Sequence, residues 1–333
     1  IIAGAGSGKT TVMAARVVWL VSSGQVRPEQ VLGLTFTRKA AGELGGRIRR
    51  ALDAAGVLAL DAEAGEELVL TYDAFAARLV AEHGLLLGFE SDVRLITTAA
   101  RFRLAARVVA ETPGLQHLSR LRPAAVAQRL LELSAELRSN LVSRDELVGH
   151  GINFAAELGA APRTPRGAEY AAVQLARAVT AERNELAGLV ERYEALKREL
   201  GYVEFADQMA SAARLATEVP AVGETLRREF AVVLLDEYQD TSAAQATLLR
   251  ALFSGSTPGT GRGHPVTAVG DPCQAIYGWR GAAASNILDF ASHFPDAAGI
   301  PAAGVALGSG NSGWGRRQVG AGMAGERAPL TRG

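Results

Sequence analysis

The sequence predicts an α/β fold with a mostly parallel sheet and an inserted all-α segment. Three observations carry this prediction. Short apolar runs alternate with helical patterns over residues 1–89 and again over 201–296. A Gly-rich loop stands between the end of the first apolar run and a helix, which is the order of elements in phosphate-binding folds. Between residues 90 and 200 the strand-like runs vanish and helical periodicity dominates.

Residues 1–20 are predicted to form the end of a strand, the Gly-rich loop and a helix. Further strands are predicted at four apolar runs bounded by polar, Gly or Pro residues, as expected for buried parallel strands. These runs are VLGLTF (31–36), LVLTYDAF (68–75), VVLLDE (232–237) and PVTAVGD (265–271). The segment KAAGELGGRIRRAL (39–52), with apolar residues at helical spacing, is predicted to be a helix.

The all-α segment is predicted to interrupt one discontinuous domain. Helical patterns cover residues 98–111, 123–141 and 171–200, and HGINFAAELGAAPRTPRG (150–167) is predicted to be a loop between the last two. Because strand-like runs resume after residue 200, we expect an α/β domain at 1–89 and 201–296, with a helical subdomain inserted at 90–200.

Composition limits the functional classes. The formal net charge is zero, so any contact with nucleic acid must come from local patches and stacking rather than from an overall basic field. The single cysteine, Cys273, excludes an internal disulfide and a cysteine metal cluster. No signal peptide is visible, and no apolar run approaches the roughly 18–20 residues of a membrane span. A cytoplasmic protein without a membrane segment is therefore expected.

The two ends of the chain carry expectations of their own. The sequence begins at Ile1, where a first strand should be ending, so we expect a fragment without its true N-terminus. Residues 297–333 are rich in Gly, almost without acidic residues and without periodicity. One interpretation is a flexible tail. The favoured one is a reading-frame slip in a GC-rich gene, because the pattern breaks abruptly after SHFPDAAG.

The segment AGAGSGKTT is a candidate nucleotide-binding loop. Its Gly residues allow backbone N–H groups to turn inward around a phosphate chain, and the helix that follows adds its positive end. Lys9 would reach the β- and γ-phosphates of ATP, and the Thr10 hydroxyl would bind Mg²⁺. The usual pattern has Gly where this chain has Ala3. The candidate residues are Ala3, Gly4, Ala5, Gly6, Ser7, Gly8, Lys9, Thr10 and Thr11.

Two further motifs follow predicted strands. Asp236 and Glu237 end VVLLDE, at the carboxyl edge of the sheet, where one carboxylate can bind Mg²⁺ and the other can accept a proton from the water that attacks ATP. The alternative is a solvated acidic turn. In VGDPCQAIYGWRGA, Gln274 can hydrogen-bond the γ-phosphate. The aromatic and Arg residues after it offer either a platform for stacking bases or core packing.

Together, AGAGSGKT, LTFTRKAAGEL, DEYQDTSAAQ and GDPCQAIYGWRGA resemble the UvrD/PcrA/Rep family of superfamily 1 DNA helicases over residues 1 to about 296. The last two blocks are most similar to AdnB-type helicase–nuclease subunits of actinobacteria. The resemblance implies a RecA-like P-loop NTPase domain with a helical insertion. It also implies ATP-driven movement along single-stranded DNA, usually 3′ to 5′, in repair or recombination, and a partner helicase–nuclease subunit.

The resemblance implies individual roles. Lys9 would hold phosphate, Thr10 and Asp236 would bind Mg²⁺, Glu237 would activate water, and Gln274 would sense the γ-phosphate; Lys9, Glu237 and Gln274 are the catalytic candidates. The candidate DNA-binding residues are Thr35, Phe36, Thr37, Tyr277, Trp279 and Arg280.

Some positions depart from the family pattern. Asp73 stands where many members have His, Thr11 stands where many have Arg, and Glu204 stands where the family has Asp. A second RecA-like domain, whose arginines complete the ATP site in the family, is not visible in the sequence.

Three functional hypotheses remain. The leading one is the motor domain of a helicase acting on single-stranded DNA or on DNA with single-stranded tails. The second is a truncated nucleotide-binding module without motor activity. The third is another P-loop enzyme, such as a small-molecule kinase, against which the sequence IYGWRG argues. For the isolated chain, the leading hypothesis predicts nucleotide binding, weak single-strand binding, poor hydrolysis and no unwinding.

Overall fold

A computed structural model describes residues 1–4, 6–56, 69–89, 93–275 and 285–295. Several predicted features lie outside these described residues: Ala5, Tyr277, Trp279, Arg280 and the tail at 297–333.

The described residues form a main parallel sheet, a set of helices around it and a helical segment. The strands are β1 (Val31–Thr35), β2 (Val69–Thr71), β3 (Arg94–Leu95), β4 (Tyr202–Val203), β5 (Val232–Leu235) and β6 (Val266–Ala268). The helices are α1 (Lys9–Ser22), α2 (Arg38–Ala54), α3 (Tyr72–His83), α4 (Thr98–Ala110), α5 (Pro123–Ser139), α6 (Arg144–Gly159), α7 (Ala171–Glu199), α8 (Phe205–Glu218), α9 (Pro220–Glu229), α10 (Ala243–Phe253), α11 (Ser285–Leu288) and α12 (Phe290–His293). The predicted α/β class with a parallel sheet is confirmed.

The order of the main sheet is β2-β1-β5-β6, with every neighbouring pair parallel. In the register, Leu34 faces Leu70 on one side and Leu235 on the other. Beyond β6, Ile2 forms a parallel bridge with Gly270, and the Ala3 N–H donates to the Gly270 carbonyl at 3.1 Å. The chain that enters the Gly-rich loop therefore lies beside β6, and β6 separates it from β5.

The central strands are buried on both faces, which explains their continuous apolar sequence. Alternate side chains point to opposite sides of the sheet. Leu34 and Leu235 pack into the core formed with α3, α8, α9 and α10. Val31 and Leu234 pack on the other face against α1 and α2. The two cores fix the sheet between two layers of helices.

The helical segment has a separate apolar core. Residues of α4, α5 and α7 form it, among them Leu104, Leu130 and Tyr193. The two-residue strands β3 and β4 pair where this segment joins the rest of the chain, a pairing that the sequence did not indicate.

Two predicted boundaries are wrong. Most of the loop predicted at 150–167 is helical, because α6 extends to Gly159. That helix begins at a capping box in which the Ser143 hydroxyl accepts from the Glu146 N–H and the Glu146 carboxylate accepts from the Ser143 N–H. The strand predicted at 68–75 ends at Thr71, whose side chain caps α3 by accepting from the Ala74 N–H.

The structure confirms the strands predicted at 31–36, 232–237 and 265–271 and the helices at 39–52, 98–111, 123–141 and 171–200, with ends shifted by up to three residues. The strand end predicted before the Gly-rich loop is a single parallel bridge at Ile2. None of the described helices has the length and apolar character that crossing a membrane requires.

Candidate functional site

The Gly-rich loop folds around backbone positions that require glycine. Gly6 and Gly8 have φ angles of 70° and 83°, in the left-handed region, and Gly8 is the residue directly before α1. The Lys9 ammonium donates to the carbonyl oxygens of Ala3 and Gly4, at 3.0 and 3.3 Å. The first turn of α1 contains no acidic residue. The loop thus presents a helix N-terminus and an ammonium group on the same side, an arrangement suited to a phosphate chain.

Asp236 lies at the carboxyl end of β5 and is 6% exposed. Its Oδ2 accepts from the Thr35 hydroxyl at 3.3 Å, and its Oδ1 accepts from the Glu237 N–H at 3.1 Å. Burial, reinforced by the neighbouring Glu237 carboxylate, raises the pKa of Asp236 to about 6, although these hydrogen bonds and Lys9 act in the opposite direction. A bound cation would favour the ionised carboxylate at this position.

Glu237 follows with an unusual backbone. Its φ of 50° is one of two positive values among the described non-glycine residues, the other being that of Leu141. Such a conformation costs roughly 1–3 kcal/mol and persists where the surrounding structure enforces it. Its carboxylate accepts from Gln239 Nε2 at 2.9 Å. The left-handed backbone and this hydrogen bond together fix the direction of the side chain.

Asp271 follows β6 and organises the short turn that contains Gln274. Its carboxylate accepts from the Gln274 side-chain amide and, at 3.0 Å, from the Cys273 N–H. These two hydrogen bonds, with a smaller contribution from Lys9, hold the pKa of Asp271 below its usual range. The Ala3 N–H donates to the Gly270 carbonyl oxygen, and the Gln239 amide joins Glu237 to Asp271, so the ends of β5 and β6 and the start of the Gly-rich loop lie together at one edge of the sheet.

The predicted DNA-binding residues that are described lie at the end of β1 and directly after it. Thr35 is 1% exposed, and its hydroxyl contacts Asp236 rather than the surface. Phe36 is half-buried, with its ring centroid 4.8 Å from that of Tyr72. Thr37 is exposed and caps α2 by accepting from the Ala40 N–H at 3.0 Å. Contacts of these three residues with DNA stay predictions.

Some site contacts were not foreseen. Gln239 bridges the segments after β5 and β6, and the Tyr72 hydroxyl donates to the Asp236 carbonyl oxygen at 3.3 Å. Arg47, on α2, donates to the Thr11 hydroxyl at 3.0 Å. The polar residues after the acidic pair in DEYQD were a signal for Gln239, whereas nothing in the sequence joined Arg47 to Thr11.

The donors present suit Mg²⁺. Asp236 and the half-buried Thr10 supply the carboxylate and hydroxyl oxygens that this ion prefers. Within the described residues, no group of three or more His, Cys, Asp or Glu side chains is placed to hold a metal ion. Mg²⁺ at nucleotide sites is typically bound by one or two protein oxygens together with substrate phosphates and waters, so the two donors fit this pattern.

Comparison with known proteins shows that the chain is similar to DNA helicases of one family. Residues 1–295 match the model of the UvrD/REP helicase N-terminal domain. The ATP-dependent DNA helicase UvrD1 of Mycobacterium leprae is 29% identical over 299 residues, 89% of this chain and 34% of the relative.

Two further relatives agree. PcrA of Leuconostoc citreum is 30% identical over 297 residues, 89% of this chain and 33% of the relative. UvrD2 of Mycobacterium tuberculosis is 30% identical over 312 residues, 90% of this chain and 37% of the relative. The chain thus spans about a third of the length of these curated relatives. By its match to their N-terminal domain, it belongs to the UvrD/REP helicase family.

Proposed function

We propose that this chain is the ATP-binding motor domain of a DNA helicase or translocase, and that it couples ATP hydrolysis to the binding of single-stranded DNA. The observation that carries the proposal is the position of β6 between β5 and the chain entering the Gly-rich loop. This order places Lys9, Asp236, Glu237 and the Asp271–Gln274 turn at the carboxyl edge of a parallel sheet, where open α/β folds bind ligands.

The residues divide the chemistry of ATP hydrolysis among themselves. The backbone N–H groups at the start of α1 and the Lys9 ammonium hold the phosphates. Thr10 and Asp236 would hold Mg²⁺, and the bound ion would neutralise phosphate charge. The Glu237 carboxylate orients the attacking water and accepts its proton. The Gln274 side-chain amide, which donates to the Asp271 carboxylate, would direct its second N–H toward the γ-phosphate and respond to the loss of that group.

The DNA interface in this proposal follows the same sheet edge. Phe36 and Thr37 come directly after β1, and Tyr277, Trp279 and Arg280 follow Gln274 in the sequence. Stacking of bases on aromatic rings and contacts to the DNA backbone suit a single strand. The direction of movement is proposed as 3′ to 5′, and the role as DNA repair or recombination.

We also propose the domain division expected from the sequence. Residues 1–89 and 201–296 form the ATP-binding domain, and residues 90–200 form the inserted helical subdomain. The support is the separation of the core shared by α4, α5 and α7 from the two cores that flank the sheet.

Nucleotide binding and single-turnover hydrolysis test the proposal. A fluorescent ATP analogue should bind wild-type protein in the presence of Mg²⁺ and should bind Lys9→Ala at least about tenfold more weakly, because one positive charge at the phosphates is lost. Glu237→Gln should retain binding and lose about 100-fold or more in hydrolysis rate, because the proton acceptor is removed. Equal binding by wild type and Lys9→Ala would contradict the proposal.

Single-stranded DNA separates the proposed motor domain from a simple nucleotide-binding module. A motor domain should bind the ATP analogue with an affinity that changes on addition of oligothymidylate, because the DNA and nucleotide sites share the sheet edge. Binding that is specific for nucleotide and indifferent to DNA would favour the module without motor activity.

A further inference from the structure

Gln239 is a buried polar residue to which the proposed reaction gives no role. It is 1% exposed and lies in the turn after β5. Its Nε2 donates to Glu237 Oε2 at 2.9 Å and to Asp240 Oδ2 at 3.1 Å, while its Oε1 accepts from the Asp271 N–H at 3.0 Å. One amide group therefore joins the segment after β5 to the segment after β6.

The orientation of this amide is fixed by its partners. Both carboxylates accept hydrogen bonds when ionised, so the NH₂ group must face them. The Asp271 N–H is a donor, so the carbonyl oxygen must face it. A carboxylate, a thioether or an apolar side chain at this position cannot satisfy all three partners.

Gly270 leaves the room that the amide needs. A Cβ atom added at Gly270 would lie 2.3 Å from Gln239 Oε1, far inside contact distance. The same two segments are also joined by backbone, because the Tyr238 N–H donates to the Val269 carbonyl oxygen at 3.0 Å. The ends of β5 and β6 thus lie close together, and the Gln239 amide fits between them because residue 270 has no side chain.

We propose that Gln239 is a positioning residue that holds the Glu237 carboxylate in a fixed relation to the Asp271–Gln274 turn. This inference rests on the proposed ATP hydrolysis. The hydrogen bond from Nε2 occupies Oε2 of Glu237 and leaves Oε1 to accept from water. The Asp271 N–H donates to Oε1 of the same Gln239 amide. Gln239 therefore links the Glu237 carboxylate to the turn that contains Gln274, the proposed γ-phosphate sensor.

The first test compares Gln239→Met with a matched variant, Gln245→Met, in single-turnover ATP hydrolysis with protein in excess. Gln245 is also buried, but its amide caps α10 through Ser242. Both variants should be less stable than wild type, because each loses buried hydrogen bonds. Gln239→Met should hydrolyse ATP about 10- to 100-fold more slowly with nucleotide affinity unchanged. Gln245→Met should retain the rate within about twofold.

The second test moves the amide without removing it. Gly270→Ala should slow hydrolysis in the wild-type background, because the added methyl group displaces Gln239 Oε1. In a Gln239→Ala background, where the side chain no longer reaches residue 270, the same substitution should have no further effect on the rate. This coupling would not be expected if Gly270 and Gln239 served only local folding.

The outcomes separate the inference from the proposed function. If Glu237→Gln slows hydrolysis but Gln239→Met does not, or if Gly270→Ala acts equally in both backgrounds, the positioning role is wrong and the proposed function stands. If Glu237→Gln leaves the single-turnover rate of the chain unchanged, the proposed function fails and the positioning role fails with it.

Discussion

Replacing Lys197 by Met should strongly destabilise the protein, because Lys197 lies among buried carboxylates. The ammonium is 2.7 Å from Asp207 Oδ2, 3.0 Å from Glu194 Oε1 and 3.3 Å from Glu204 Oε1, and the side chain is 2% exposed. Lys197 belongs to the last turns of α7, whereas Glu204 and Asp207 form the capping box of α8. The cluster therefore joins the helical segment to a helix that packs on the sheet.

The size of the effect follows from the charge balance. Arg101 pairs with Glu204 at 2.6 Å, and Arg138 pairs with Glu194 at 3.0 Å, so three cations face three carboxylates. Burial lowers the pKa of Lys197, but the carboxylates outweigh burial and raise it, so the group is charged at neutral pH. Removing one partner from such a buried group costs about 3–5 kcal/mol, a large part of the roughly 5–15 kcal/mol by which proteins are stable.

Urea unfolding followed by circular dichroism near pH 7.5 measures this cost. The control is Lys39→Met, since Lys39 forms an exposed pair with Glu43 at 3.8 Å. We expect the control to change the free energy of unfolding by less than about 0.5 kcal/mol. A loss below about 1 kcal/mol for Lys197→Met would refute the reasoning that its charge is needed to balance buried carboxylates.

Three further predictions concern single groups. Asp236→Asn should stabilise the nucleotide-free protein near pH 7.5 by about 3 kcal/mol. The pKa of Asp236 is raised from 3.8 to about 6, so the wild type loses stability as pH rises through this range, whereas Asn cannot ionise. Urea unfolding near pH 4 should show a much smaller difference in the free energy of unfolding between the two proteins. His264, stacked on Phe253, has its pKa lowered to about 4 by burial and then by Arg227. Stability is therefore lost as pH falls from 6.5 toward 4, and His264→Phe should flatten this acid decline in thermal melts. Thr35→Val removes a donor to Asp236 and should raise the Mg²⁺ concentration needed for ATP binding about tenfold.

The parts of the fold that the sequence predicted depend on local signals. The phosphate loop is recognised from its glycines and Lys9, which lie within one short segment. The strand β5 is recognised from the short apolar run directly before Asp236 and Glu237. The sequence does not predict α6 clearly, because Gly149 and Gly151 lower helix propensity, although the capping box before it is present in the sequence.

The site contacts that the sequence could not predict depend on strand order. The hydrogen bond from Thr35 to Asp236 joins residues 201 positions apart and exists because β1 lies next to β5. The bond from the Asp271 N–H to Gln239 likewise requires β6 to lie next to β5. No periodicity in the sequence specifies which parallel strands are neighbours, so these contacts become visible only in the folded chain.

The central claim is that one sheet edge binds ATP and is coupled to single-stranded DNA. The most direct measurement is the affinity of a fluorescent ATP analogue for the wild-type chain with Mg²⁺, with and without oligothymidylate, and with Lys9→Ala as the control. We predict binding that Lys9→Ala weakens at least about tenfold and that the DNA changes measurably. Binding that Lys9→Ala does not weaken, or that the DNA leaves unchanged, would contradict the claim.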